Sequence, residues 1–324
     1  METSPAVASP ALRRFAWGTL AFNIVVILWG AYVRATGSGA GCGEHWPLCN
    51  GEVIPRAKAI ETIIEFSHRA SSGLAFLAVL VLLVWALRSR TASAHLKRMS
   101  ILSMVFMVLE SGVGASLVLF RLVAENQSMA RAYMMSLHLV NTLLLLASIT
   151  LAARAASGGA PPKLRSGGAV GAVFGAAALG MIVLGVSGAV TALGDTLWPP
   201  QSLEHGLSQD FSPTAHLLLR LRIFHPLLAV VVGLLVVAAG WTALALRPSP
   251  KQKRWAIVLT ALFATQFCAG LLNVVLLAPV WMQMLHLFLA DGVWVALILA
   301  GGDALSSEAA GAPAPAPQSE TAAA

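Results

Sequence analysis

The sequence predicts an all-α membrane protein with eight transmembrane helices. Hydrophobic residues make up 57% of the 324 residues and charged residues only 11%, and the mean hydropathy is +0.78. A soluble domain of this size could not stay in solution with so apolar a composition. Eight mainly apolar runs also have about the 20 residues that a helix needs to cross a bilayer.

These runs lie between charged segments or segments rich in Pro and Gly. We expect each run to be helical, because backbone amides in hydrocarbon must be paired within their own segment or in a closed barrel. The runs lack the alternating polar residues of barrel strands. Their approximate limits are residues 15–33, 62–87, 99–120, 132–153, 168–193, 217–246, 255–277 and 280–300.

Basic residues between the runs predict the orientation in the membrane. Thirteen of the 21 Lys and Arg residues fall on one side, which the positive-inside rule makes the cytoplasmic side of a bacterial-type cell (inner) membrane. Both termini are then cytoplasmic, namely a segment 1–14 and an Ala/Pro-rich tail 301–324 that we expect to be disordered. This bias explains the net charge of +7, which gives no support to nucleic-acid binding. The residues are Arg13, Arg14, Arg88, Arg90, Lys97, Arg98, Arg154, Lys163, Arg165, Arg247, Lys251, Lys253 and Arg254.

The first four runs resemble the last four, at an offset of about 157 residues. The stretch GAYVRATGSG, followed by Trp-Pro, is echoed by SGAVTALGDT, and EFSHR is echoed by RIFHP. We therefore expect two four-helix halves, residues 15–160 and 161–300. Because each copy has an even number of spans, the copies are parallel and related by a pseudo-twofold axis along the membrane normal. Further matches are Glu110 with Gln266, Gly114 with Gly270 and His138 with His286.

Four histidines lie inside the predicted spans, at similar depths near the outer face and always on an even-numbered span: His68, His138, His225 and His286. A lone intramembrane histidine is more often a hydrogen-bonded packing residue than a ligand. Four packing residues would have no reason to share depth and place in each repeat, whereas two bis-imidazole sites require it. Heme iron fits better than zinc or copper, because no thiolate or carboxylate completes a tetrahedral set in either half.

Four arginines near the outer face are candidates to pair with heme carboxylates: Arg34, Arg69, Arg220 and Arg222. In the alternative interpretation, Arg34, Arg220 and Arg222 extend to lipid headgroups instead.

A carboxylate distinguishes the two halves. Glu65 precedes His68 by three residues and shares its helix face, whereas the matching residue in the second copy is Arg222. An ionisable residue in the bilayer is a functional candidate by default, and here it could move protons or stabilise a developing cation. The alternative role of Glu65 is an ion pair with Arg69 or another arginine nearby. Two more carboxylates in the spans, which we expect to form hydrogen bonds around the ligands, are Glu110 and Asp291.

The two predicted long outer loops are candidate lids. The first holds Cys42 and Cys49, in an oxidising compartment where a disulfide is the natural interpretation. Two free thiols, or a metal site with His45, are the alternatives. The second covers about residues 194–216. Cys268, in the seventh run, is expected to be a buried core residue.

On these motifs the chain resembles the heme A synthase family. They are RATGSG from Arg34, WPLC in the cysteine loop, EFSHR from Glu65, RLRIFHP ending at Pro226 and HLFLAD from His286. The resemblance covers roughly residues 15 to 300 and implies an eight-helix bundle of two four-helix halves. The cysteine pair is similar to the external disulfide of one branch of the family.

The resemblance also implies a reaction. A b-type heme would lie between His225 and His286, and the substrate heme O would bind beside His68 and His138. Glu65 would take the position of the catalytic carboxylate. The C8 methyl group of heme O would be oxidised to a formyl group by successive hydroxylations, supplying heme A for terminal oxidases. The resemblance is compatible with a heme O synthase as a partner and with assembly of this chain into a homo-oligomer. It does not name the electron donor or acceptor.

Two other functions use the same histidines. A di-heme cytochrome b would relay electrons to or from quinone without modifying heme, but it gives no role to the asymmetry at Glu65. A repeat-built transporter would use the histidines as proton carriers, and mid-span Gly/Pro breaks, which would favour it, are not obvious.

Overall fold

The computed structural model describes residues 8–56, 59–163 and 167–306. In that part of the chain the protein is helical, with ten α-helices and a short 3-10 helix at Ser38–Ala40. The α-helices are α1 (Pro10–Ala35), α2 (Ile60–Arg88), α3 (Ala94–Leu119), α4 (Met129–Ala156), α5 (Gly168–Leu197), α6 (Leu203–Phe211), α7 (Leu217–Arg220), α8 (Phe224–Leu246), α9 (Pro250–Val275) and α10 (Val280–Ser306).

Eight stretches of the described residues are helical, long and apolar enough to cross a membrane, with α7 and α8 counted together as one span from Leu217 to Leu246. The predicted class, an all-α multi-pass membrane protein, is confirmed. The end of the bundle that holds the two long loops is named the outer end below, after the predicted orientation.

Local signals explain where the helices begin. Serine side chains cap α1, α3, α4 and α9, and each accepts a hydrogen bond from a backbone N–H of the first turn. Pro10 and Pro250 stand at the start of α1 and α9, where a missing N–H costs nothing.

The last helix is longer than predicted. It continues to Ser306, so residues 301–306 are helical, whereas the sequence predicted disorder from Gly301. The physical reason is Asp303, whose carboxylate lies 2.9 Å from Arg154 Nε and 2.8 Å from Lys251 Nζ and fixes the helix end. Residues 307–324 of the predicted tail, and residues 1–7 of the N-terminal segment, lie outside the described residues. Residues 10–14 of that segment already belong to α1.

The sixth span is broken near its outer end. Helix α7 ends at Arg220, and α8 begins at Phe224, directly before His225. Pro226 explains the break, because proline has no N–H for the carbonyl four residues earlier and its ring clashes with that carbonyl. That carbonyl belongs to Arg222, and it accepts from His225 N at 3.1 Å instead.

The two halves pack in the same order. In the first half α1 and α3 each contact α2 and α4, and in the second half α5 and α9 each contact α8 and α10. Between the halves, α4 contacts α5 and α10, and α1 contacts α10. The buried Trp294 of α10 donates its indole N–H to the carbonyl of Leu143 in α4 at 2.9 Å. The pseudo-twofold axis itself stays a prediction.

Candidate functional site

The four predicted histidines form one pair in each half. His225 of α8 and His286 of α10 have ring centroids 6.4 Å apart, with ring planes 79° apart. His68 of α2 and His138 of α4 are close enough to interact electrostatically. The elements that carry the two pairs are the second and fourth spans of each half.

The second pair has the spacing that a shared iron requires. Metal bonds to imidazole nitrogen are about 2 Å long, so two rings on opposite sides of one metal have centroids roughly 6 Å apart. His225 Nδ1 lies 2.9 Å from Ser187 Oγ, which leaves its Nε2 free to bind a metal. The buried Nδ1 atoms of His68 and His286 have no hydrogen-bond partner among the described residues. A buried polar atom without a partner is costly, and these rings therefore fit a ligand role.

The two histidine pairs are not part of larger clusters of metal-binding side chains in the described chain. Within residues 8–56, 59–163 and 167–306, no group of three or more His, Cys, Asp or Glu side chains is placed to hold a bare metal ion. Zinc and copper sites need such a set, whereas a porphyrin iron needs only axial ligands from the protein.

Each histidine ring lies against a glycine of a neighbouring helix. A Cβ atom added to Gly30 would stand 2.9 Å from Cε1 of His68, and one added to Gly188 would stand 3.0 Å from Cε1 of His225. An added Cβ on Gly270 would stand 3.0 Å from Cε1 of His286, and one on Gly114 would stand 3.6 Å from Nε2 of His138. The four glycines that let the helix backbone approach a ring so closely are Gly30 (α1), Gly114 (α3), Gly188 (α5) and Gly270 (α9).

The sequence paired Gly114 with Gly270 but did not single out Gly30 and Gly188. Their signal lies in the aligned copies, since Gly30 and Gly188 stand at the start of the two matching stretches that lead to the Trp-Pro pairs.

Glu65 is buried at the outer end of α2, with 3% of its surface exposed. Its Oε1 accepts from Arg69 at 3.1 Å (Nε) and 2.5 Å (Nη2). Its Oε2 accepts from the backbone N–H of Cys42 at 2.8 Å. The ion pair that the sequence left as an alternative role is therefore present. It holds the carboxylate in place and joins the helix of His68 to the first outer loop.

The first outer loop is closed by the predicted disulfide between Cys42 and Cys49. This bond removes the alternative in which free thiols join His45 at a metal site. Arg69 also donates to the carbonyls of His45 at 2.5 Å and Leu48 at 2.6 Å, so the loop is fixed directly above α2. Cys268, expected to be buried, is exposed on α9, on a surface that faces lipid in a membrane protein.

Glu110 of α3 lies beside His138 in the first half. Its Oε1 is 3.3 Å from His138 Nδ1 and accepts from the hydroxyl of Thr142, and its Oε2 accepts from Asn141 Nδ2 at 2.6 Å. The matching residue of the second half, Gln266, has its amide nitrogen 3.3 Å from His286 Nε2. The first site therefore has a carboxylate where the second has a neutral amide.

Asp291 differs from the expectation. The sequence predicted hydrogen bonds for it near His286, but Asp291 Oδ2 is buried and has no partner among the described residues. We assign it no role in the site.

Arg34 connects the two halves. From α1, its Nη1 donates to the carbonyl of Ala192 at 2.6 Å and to Thr196 Oγ1 at 2.5 Å, and its Nη2 donates to Gln283 Oε1 at 2.8 Å. From its charge and position alone, Arg34 is expected to pair with heme carboxylates or lipid headgroups. The residue pattern does not predict these partners, which lie on α5 and in the first turn of α10.

Arg222 is buried in the second outer loop. Its guanidinium lies 2.9 Å from Asp195 Oδ1 and 2.6 Å from Asp210 Oδ1, and it donates to Gln209 Oε1 at 3.2 Å. At the position where the first half has Glu65, the second half thus has a cation that holds its own loop. Arg220 is exposed.

Comparisons with known proteins agree with this architecture. Residues 13–298 match the model of the COX15-CtaA family, described as cytochrome oxidase assembly protein. A heme A synthase from Symbiobacterium thermophilum is 32% identical over 297 residues, which are 88% of this chain and 92% of the relative. A heme A synthase from Halalkalibacterium halodurans is 44% identical over 110 residues, which are 34% of this chain and 37% of the relative.

Another relative has a different name. A protoheme IX farnesyltransferase from Thermus thermophilus is 54% identical over 294 residues, which are 91% of this chain but 48% of the relative. This chain thus spans about half the length of that relative. The match to the family model covers almost all of the membrane bundle, and the Symbiobacterium relative is matched over nearly its full length. The chain therefore belongs to the heme A synthase family, the COX15-CtaA family of cytochrome oxidase assembly proteins.

Proposed function

We propose that this protein is a heme A synthase, an oxidoreductase that converts the C8 methyl group of heme O to a formyl group by successive hydroxylations. The observation that carries the proposal is a difference in charge between two similar histidine sites. The first site has Glu65 and Glu110 next to its ligands, and the second has Arg222 and Gln266 at the matching positions. We infer that the first half performs the chemistry and the second half holds a redox cofactor.

In the second half, His225 and His286 would hold a b-type heme by their imidazoles. Such a heme takes up and releases single electrons. Ser187 fixes the tautomer of His225 through Nδ1, and Gln266 presents a neutral amide to His286. Both partners are neutral groups, a hydroxyl and an amide. Neither contact supplies a carboxylate that could accept a proton.

In the first half, heme O would bind beside His68 and His138. Each hydroxylation would add an oxygen atom from water, release two protons and remove two electrons, which the b heme of the second half would pass on singly to an acceptor. Positive charge would develop next to the porphyrin ring. The Glu65 carboxylate is fixed by Arg69 and the N–H of Cys42, and it is buried near the end of the span that carries His68. A fixed carboxylate in a site that excludes water can stabilise such a charge or accept a proton.

The name of the Thermus relative suggests a second activity, farnesyl transfer. Transfer of a farnesyl group from a diphosphate uses carboxylates that hold Mg²⁺ against the phosphates. The parts of this chain that the structure describes offer no group of three or more such side chains for a metal ion. Because about half of that relative has no counterpart here, its name does not assign farnesyl transfer to this chain.

The test is to replace Glu65 by Gln and measure the hemes of cells that make heme O and have no other source of heme A. We expect Glu65→Gln to keep the b-heme spectrum of the purified protein and to lower heme A at least tenfold, because the side chain keeps its size and loses its charge. Glu61→Gln is the matched control. Glu61 is on the same helix, one turn earlier, and is exposed.

Chromatography of extracted hemes gives the result. Normal heme A with Glu65→Gln would remove Glu65 from the mechanism. A wild-type protein that binds b heme but makes no heme A would instead support the di-heme cytochrome.

A further inference from the structure

Helix α6 lies in the second outer loop, between α5 and α7, and is too short to span a membrane. It begins at Ser202, whose side chain accepts from the backbone N–H of His205 at 3.1 Å. Its polar side faces the protein. Asp210 and Gln209 bind the buried Arg222, and His205 and Gly206 are also half-buried.

The other side of α6 is apolar and faces away from the protein. Leu203, Leu207 and Phe211 follow each other at intervals of four residues and form one stripe along the helix. Their exposed fractions are 45%, 58% and 70%. A surface helix in water has the opposite arrangement, with its apolar side against the core. The stripe is therefore a surface that something other than water covers.

An apolar groove continues this stripe. It has a volume of about 260 Å³ and lies between the end of α6 and the start of the sixth span. It is lined by the apolar residues Phe211, Leu217, Leu221, Ile223 and Phe224, and by Asp210, whose carboxylate binds Arg222. The exposed Arg220 stands at the same groove. Beyond the groove the exposed apolar surface runs onto α8, where 63% of Leu227 is exposed.

We propose that α6 is an interfacial helix whose stripe of Leu203, Leu207 and Phe211 lies in the outer leaflet of the membrane, at the boundary between headgroups and acyl chains. Amphipathic helices lie in this way with their apolar face in the lipid. The occupant is lipid because the stripe and groove are continuous with the surface of a transmembrane span. Arg220 then stands where a lipid phosphate would pair with it.

This arrangement gives the second half a lid that rests on the membrane. The polar side of α6 holds Arg222, which is three residues before His225. Lipid on one side and Arg222 on the other fix α6 over the outer end of the second histidine pair. The inference does not depend on heme binding or on the proposed reaction.

Spin labels on α6 test this inference. The chain has three cysteines, and only Cys268 is unpaired, so Cys268→Ser followed by Leu207→Cys gives a single site for a nitroxide. Ser208→Cys is the matched control, because Ser208 is exposed on the same helix but lies beside the apolar stripe. The proteins are placed in vesicles of phosphatidylcholine and phosphatidylglycerol, and collisions with oxygen and with a water-soluble nickel complex are measured.

We expect the ratio of oxygen to nickel collisions to be several-fold higher at position 207 than at position 208, because oxygen concentrates in lipid. Equal nickel access at the two positions would show that the stripe faces water and would overturn the proposal. Exclusion of both reagents at position 207 would show that protein covers the stripe, either a second copy or another partner, and would overturn it as well.

Discussion

At the scale of single residues, glycine decides where the imidazoles lie. The rings of His225 and His286 can approach α5 and α9 only because Gly188 and Gly270 have no side chain. A methyl group 3.0 Å from a ring carbon is closer than a normal contact, so the ring or the helix has to move. Ligand geometry at a metal tolerates little displacement, and we expect such a change to weaken heme binding.

Gly188→Ala is therefore expected to lower the b heme bound to the purified protein several-fold, because the new methyl group displaces the ring of His225. Gly175→Ala is the matched control on the same helix, since an added Cβ there has no atom within 4 Å. Heme absorbance per mole of protein gives the comparison. Equal heme in the two variants would show that the glycine contact does not position the ligand.

The grouping of four histidines into one pair in each half could be predicted from the sequence, because they share depth and place in the repeat. The partners of the arginines could not. Arg34 and Arg222 were assigned to heme carboxylates on charge and location alone, and each has several protein partners in the structure. Whether such an arginine binds a heme carboxylate or a protein group depends on the direction of its side chain. That direction depends on how the helices pack, which the residue pattern does not predict.

At the scale of helices, the apolar runs were long enough to predict every span of the described bundle. Two elements were missed. Helix α6 is short, and its apolar stripe is hidden in a loop rich in polar residues. The break between α7 and α8 follows from Pro226. Hydropathy does not reveal it, because the sequence from Leu217 to Leu246 is apolar throughout and forms one candidate span.

Arg222 is the contact that holds α6, and its replacement tests the role of this helix as a lid. Removal of one member of a buried ion pair leaves the other uncompensated and costs about 3–5 kcal/mol. Arg222→Gln leaves Asp195 and Asp210 without their cation. We expect the backbone amides of α6 to exchange with deuterium at least tenfold faster in this variant.

Arg56→Gln is the control for this experiment, because Arg56 is an exposed arginine of the first outer loop, away from α6. It should leave hydrogen exchange in α6 unchanged. If both variants exchanged like the wild type, α6 would be held by its other contacts and Arg222 would not be its anchor.

At the scale of the whole molecule, contacts between the halves hold the bundle together. Arg34 reaches α5 and α10, Trp294 reaches the backbone of α4, and Arg154 of α4 binds Asp303 of α10. The repeat predicted two similar halves but not how they meet, because these pairs are more than a hundred residues apart in sequence.

Arg34→Gln should lower the unfolding temperature, because hydrogen bonds from a charged group are each worth about 1.5–3 kcal/mol and Arg34 makes three across the halves. Arg13→Gln, an exposed change on the same helix, should have little effect. Thermal unfolding in detergent, followed by loss of helical circular dichroism, compares them. Equal unfolding temperatures for the two variants would show that Arg34 does not hold the halves together.

The most direct test of the whole account is the heme content of histidine variants, measured as pyridine hemochrome per mole of purified protein. We predict that His225→Ala and His286→Ala lose the resident b heme, whereas His68→Ala retains it and loses heme A formation. This outcome requires two imidazole pairs with separate roles. Equal loss of heme in all three variants, or a wild-type protein that neither binds nor modifies porphyrin, would contradict the account.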